Sequence, residues 1–327
     1  MIVKENPTWF RLLFSFRGSG LANTWWRLAV VTALSVVVTA VYVHYDATGT
    51  DDERRRFPLS LSLAPFAVVG VALSIFLGFR NNASYERYWE GRRLWGQLVN
   101  AARTFARQTT TLAVPPLAGA GVGSPAAADV AAFQRGVVLR TIAFAHALRH
   151  HLRDTDPLAE LDALLPPAET AELAGQRNIP LAVLQSLGRQ VQAAWRRGWI
   201  REYHVPVFEA SLTELTAIQG GCERIKNTPL PFAYSVLLHQ LVAFYCLLLP
   251  FGIVQEVGVM TPLVVLLISH AFLGLDELGD EIEEPFGTHP NDLPLSGLSR
   301  AIEINLRQLL GERDVPEFLR PVRNVLT

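Results

Sequence analysis

Val71, Ile75 and Phe79 recur at every fourth position in a stretch, residues 64–96, that reads APFAVVGVALSIFLGFRNNASYERYWEGRRLWG. After Pro65 no proline or glycine pair interrupts it as charge-free apolar sequence gives way to arginines and aromatics. On one helix the three residues share a face over about 12 Å of axis. Beside them Gly70, Ser74 and Gly78 repeat at the same spacing, and small residues so spaced let neighbouring helices approach closely. A narrow apolar lumen can gate ions by wetting and dewetting. The same stripe can instead face lipid or another helix, since any apolar span contains such stripes. The chemistry on offer is permeation, and no bond-making group lies in the stretch.

The ionisable residues around this stretch are few and clustered. Arg80 follows Phe79 directly. Far along the chain come Asp276, Glu277, Asp280, Glu281, Glu283 and Glu284. Such a run either pairs with arginines near the membrane junction or forms a solvated acidic face. His239 and His270 lie inside apolar runs. An ionisable group there is a functional candidate, or else a neutral histidine hydrogen-bonded between packed helices. His150 and His151 are adjacent, so they point to different helix faces and make a poor metal pair. Cys222 and Cys246 have neither disulfide-framework nor metal spacing and read as small buried residues. With no nucleophile elbow, phosphate-binding loop or zinc motif, the chain reads as a protein that is not an enzyme and needs no cofactor or metal.

The elements that must position these residues are membrane helices. Half of the 327 residues are hydrophobic, 18% are charged and mean hydropathy is +0.23, against roughly 25% charge in a soluble domain. A net charge of -1 argues against a nucleic-acid partner. Four segments are long and apolar enough to span a bilayer, which takes about 20 residues: 26–45, 58–79, 230–254 and 257–275. Trp25, Trp26, Tyr42 and Tyr45 flank the first, as interfacial aromatics do. No cleavable signal peptide is apparent, because the first apolar run starts late and is too long. Residues 1–25 interleave Trp9, Phe10, Leu13, Phe14 and Phe16 with Arg11 and Arg17, an amphipathic segment suited to a membrane surface. Lys4, Arg11 and Arg17 before the first span, and Arg80, Arg87, Arg92, Arg93, Arg103 and Arg107 after the second, place both termini in the cytoplasm of a plasma (inner) membrane protein.

The chain therefore divides into an amphipathic segment (1–25), two spans (26–79), a cytosolic helical region (80–228), two further spans (229–275) and cytosolic helices with a tail (276–327). Helical patterns continue from Phe79 to about Leu112. They resume near 130–153, 158–173, 180–197, 205–226 and 295–310, after a Pro/Ala/Gly-rich linker that frays into solvent. The tail to Thr327 reads as loose. The fold class is all-α and membrane-spanning.

Three motifs then carry a family resemblance. GFRNNASYERYWEGRRLWG (78–96), TPLPFAYSVLLHQ (228–240) and DELGDEIEEPFGTHPNDLPL (276–295) occur in order. Together they resemble the bestrophin family, in particular its prokaryotic members, over about residues 5–310. The resemblance implies a cyclic homopentameric ion channel with four transmembrane helices per subunit and a helical cytosolic domain. Its partners would be four copies of itself, membrane lipids and permeating monovalent ions. Val71, Ile75 and Phe79 would match the family's three-ring hydrophobic neck. Matching GWIREYHVPVFEASL to the family places a cytosolic aperture near Tyr203, with Glu202 or His204 as alternative inward residues. Animal bestrophins conduct chloride, while some prokaryotic relatives prefer monovalent cations; Arg80 would favour anions and Glu202 cations. Animal members bind calcium after Pro-Phe-Gly through a run of aspartates. Here Thr288, His289, Pro290, Asn291 and Asp292 leave one carboxylate, too few for calcium, so no calcium activation is expected. An anion carrier with alternating access and a membrane-anchored scaffold or sensor are the competing readings.

Overall fold

In a computed structural model, the structure describes residues 1, 20–48, 57–115, 125–322 and 324–326. Among them every regular element is helical. In order come α1 (Leu21–Thr48), α2 (Leu63–Leu112), α3 (Pro125–Leu152), α4 (Leu158–Leu161), α5 (Pro167–Leu173), α6 (Ile179–Arg196), α7 (Val205–Asn227), α8 (Phe232–Val257), α9 (Thr261–Glu283) and α10 (Leu295–Leu309). Short 3-10 turns at Glu202–His204 and Gly258–Met260 precede α7 and α9. The chain forms two compact units, one of residues 4–88 and 229–284, the other of 1–3, 89–228 and 285–327. Most of the expected amphipathic segment, and the middle of the Pro/Ala/Gly-rich linker, fall outside the described residues.

The first unit holds α1, the leading part of α2, α8 and α9. Three stretches are long and apolar enough to cross a membrane: Ala22–Thr48, Leu63–Leu112 and Phe232–Glu283. The third contains both α8 and α9, joined at Gly258, whose φ of +60° suits a residue without a side chain. The two helices pack against each other, so the chain folds back there. Val31, Leu73, Leu77, Leu238, Val242, Leu249, Val265 and Leu273 form the shared core. Polar side chains in α1 are satisfied locally: Thr32, Ser35 and Thr39 each donate to a carbonyl three or four residues back, all at 2.7 Å. Gly252 of α8 meets the Phe66 ring of α2, where a β-carbon would lie 2.5 Å from the ring.

The second unit is built around α3. Its residues from Thr141 to Leu148 are all buried, because α6, α7 and α10 surround it. Trp95, Leu98 and Phe105 of the trailing part of α2 are buried here too, with Phe105 edge-on to Phe208 of α7 at 6.0 Å. One helix expected over 158–173 is in fact two, α4 and α5. Pro166 is extended (ψ 142°) because Pro167 follows it. The tail is held instead of loose: Leu326 N–H donates to the Met1 carbonyl at 2.9 Å, and Val322 and Val325 form a bridge.

Candidate functional site

The leading part of α2 has two unlike faces. Gly70, Leu73, Leu77, Arg80 and Ser84 are buried in their unit. Val71, Ile75 and Phe79 are 64%, 52% and 62% exposed, and Val68 continues their stripe one turn earlier. Four-residue spacing produced both faces: the core takes one row of apolar residues, and the row of Val71 cannot reach it. An apolar stripe this exposed needs a cover that the unit does not supply.

Arg80, the residue expected to supply a selectivity charge, is not presented to solvent. It is fully buried. Its guanidinium donates to Asp276 Oδ1 at 2.7 Å and pairs with Asp280. His239 completes the cluster, with Nδ1 2.6 Å from Asp276 Oδ2 and Nε2 3.3 Å from Asp280 Oδ2. Asp276 and Asp280 are four residues apart and so share one face of α9. Other members of the acidic run are engaged as well. Glu277 lies 3.5 Å from Arg27. Glu283 accepts from the Leu230 N–H at 2.8 Å through its carboxylate, and from Arg87 Nε at 3.1 Å through its carbonyl. The run is therefore an arginine-paired helix end, not a solvated face. Gly279 lets α2 and α9 meet at this level, since a β-carbon there would lie 2.5 Å from Asn81 Oδ1. His270 is exposed and takes no part.

The proposed aperture residues lie in the second unit. Glu202, Tyr203 and His204 form the 3-10 turn before α7. The turn is anchored by buried Trp199 and Ile200 on one side and by Pro206 in the first turn of α7 on the other. Tyr203 is 66% exposed and Glu202 is also exposed, while His204 is half-buried with its ring 4.4 Å from the tyrosine ring.

The segment after Pro-Phe-Gly does not suit calcium. Asp292 is buried and one of its oxygens accepts from the His289 N–H at 2.7 Å. Burial pushes its carboxyl above the usual aspartate range, against the pull of the His289 N–H and the nearby cations. The Arg153 guanidinium already donates to the Phe286 carbonyl at 3.2 Å and the Ser296 hydroxyl at 2.8 Å. Among the described residues no cluster of His, Cys, Asp and Glu is disposed to hold a metal.

One buried charge cluster went unnoticed in the sequence. His146, two turns before the end of α3, lies between Glu303 of α10 (Nε2 to Oε2, 3.2 Å) and Glu160 of α4. Its Nδ1 is 3.0 Å from Glu160 Oε1 but not aligned for a hydrogen bond. Arg149 also pairs with Glu160, and Arg307 Nε donates to Glu303 at 3.0 Å. Burial works against the charged imidazole, yet the two carboxylates outweigh it and hold the His146 pKa above its ordinary value. Burial would likewise raise Glu160, but His146, His150 and Arg149 keep it far below the usual carboxylate range. Cys222 is a free buried thiol pushed up to about 12 by burial and by Glu223 and Glu90.

The chain is similar to known proteins along nearly its whole length. The family model described as Bacterial/Fungal Bestrophin protein matches residues 1–308. Voltage-dependent anion channel-forming protein RSc3414 of Ralstonia nicotianae is 43% identical over 95% of each chain. Voltage-dependent anion channel-forming protein YneE of Escherichia coli K12 is 38% identical over 99% of each. A crystal structure of a bacterial bestrophin homologue from Klebsiella pneumoniae superposes with a TM-score of 0.77 at 35% identity, covering 88% of this chain and 99% of that one. With its helices, its motifs and its full-length relatives in agreement, the chain belongs to the bestrophin family.

Proposed function

We propose that this protein is a channel passing small monovalent ions through a pore lined by α2, with Val71, Ile75 and Phe79 as its apolar constriction. The observation that carries the reading is the exposed apolar stripe on α2, turned away from its own core. Repeated around a closed ring of subunits, a head-to-tail arrangement, that stripe becomes three stacked apolar rings. The names of the relatives, which are channel-forming proteins, support the same conclusion. A homopentamer with four spans per subunit, α1, α2, α8 and α9, fits the charge bias that keeps both termini in the cytoplasm of the inner membrane. Tyr203 and Glu202, exposed on their turn, are the residues proposed to edge the cytosolic aperture.

Conduction here needs no covalent step. An ion must shed part of its hydration to pass rings without polar atoms, so the barrier depends on how readily the lumen wets. Val71→Ala, Ile75→Ala and Phe79→Ala combined should widen and wet the lumen, raising single-channel conductance or open probability severalfold in planar bilayers. Unchanged currents from a folded oligomer would overturn the assignment of the constriction. Saturable, coupled flux without unitary currents would point to a carrier.

A further inference from the structure

The register of α2 names the first free charge beneath the apolar stripe. At 100° per residue, Val71, Ile75 and Phe79 lie at about 0°, 40° and 80° around the helix axis, and Asn82 and Glu86 at about 20° and 60°. Both lie within the arc of the stripe, and both side chains are exposed. Two neighbouring cations are committed elsewhere. Arg80 is buried in its pair with Asp276 and Asp280, and Arg87 Nε donates to the Glu283 carbonyl. Glu86 takes part in no ion pair among the described residues. Seven residues separate it from Phe79, about 10 Å along the axis.

We propose that Glu86 is the residue that selects the sign of the permeating ion, favouring monovalent cations. The inference rests on the pore reading of Val71, Ile75 and Phe79. Apolar rings carry no charge and do not distinguish a cation from an anion of similar size. The first charged ring met beyond them sets the local ion concentration at the mouth of the constriction. In a symmetric assembly Glu86 supplies one carboxylate per subunit to such a ring. Its distance from Phe79 is comparable to the Debye length of about 8–10 Å at physiological salt, so screening weakens its field at the constriction without abolishing it. Asn82, between the two, adds an amide dipole but no charge.

Reversal potentials under an asymmetric KCl gradient test this on the full-length protein in planar bilayers. Wild type should reverse toward the potassium equilibrium potential, and less strongly as salt is raised. Glu86→Gln should lower the potassium-to-chloride permeability ratio severalfold, and Glu86→Lys should move reversal to the chloride side. The variant with alanine at Val71, Ile75 and Phe79 is measured alongside. If it conducts more than wild type while neither Glu86 variant shifts reversal, the role of Glu86 is overturned and the channel reading stands. A chloride-selective wild type also overturns it. If alanine in the stripe leaves conduction unchanged, the pore reading fails and the role of Glu86 falls with it. Because Glu86 is exposed, its replacement should leave folding intact, which size-exclusion elution will verify.

Discussion

Replacing Arg80 tests whether it is a structural strut or a pore charge. Its side chain is fully buried and Asp276 is 2% exposed, so Arg80→Met leaves a buried carboxylate with only His239 beside it. Breaking a buried pair from one side costs about 3–5 kcal/mol. Asp280, 39% exposed on its side chain, is rehydrated and adds little. At about 2–4 °C per kcal/mol for a domain of this size, the thermal midpoint in detergent should fall by roughly 6–20 °C. Arg80→Met combined with Asp276→Leu removes both charges and should recover most of the loss, as apolar replacements of buried pairs do. A thermal-shift series over the four corners of this cycle measures the coupling directly. Arg80→Lys keeps the charge but loses the two-pronged geometry, so it should destabilise less and leave ion selectivity unaltered. If Arg80→Met were as stable as wild type and shifted the reversal potential, Arg80 would face the pore and the burial argument would be wrong.

Two further outcomes follow from the second unit. The His146 pKa is raised on folding, so its contribution to stability is complete below about pH 6.5, the unfolded value, and is lost as pH rises through the folded value. Thermal midpoints between pH 6 and 9 should therefore decline more steeply in wild type than in His146→Gln, and parallel slopes would refute the role of the imidazolium. Calcium should not open the channel, because Asp292 is the one carboxylate between Thr288 and Asp292 and is buried, accepting from the His289 N–H. A calcium titration of bilayer currents that showed micromolar activation would contradict this.

Much of the helical framework was legible in the sequence. The pattern over 180–197 became α6 (Ile179–Arg196), that over 205–226 became α7 (Val205–Asn227), and that over 295–310 became α10 (Leu295–Leu309). Apolar periodicity and flanking prolines are local signals and survive folding. Where α2 would bury its polar residues was not legible. Arg80 follows an exposed phenylalanine where apolar sequence gives way to charged sequence, and nothing nearby says that its partners lie 196 and 200 residues on. The same limit hid His146, whose carboxylates come from Glu160 and Glu303. The clue available was a histidine inside the apolar run TIAFAHAL, with Arg149 and His150 following one turn later. The break at Pro166–Pro167 was visible as a proline pair, but the apolar residues on either side masked it by continuing a helical spacing.

The ion pair between Arg80 and Asp276 also sets a schedule. At about 5–20 residues per second, the ribosome takes roughly 10–40 s to reach Asp276 after making Arg80. For that interval the guanidinium has no carboxylate, and its long stem must carry the charge out to the membrane surface. Residues 89–228, made meanwhile, belong to a unit that still lacks residues 285–327. Neither unit can close in the order in which it is synthesised, and α1 and the leading part of α2 wait for α8 and α9. Both units can be completed only when nearly the whole chain has left the ribosome.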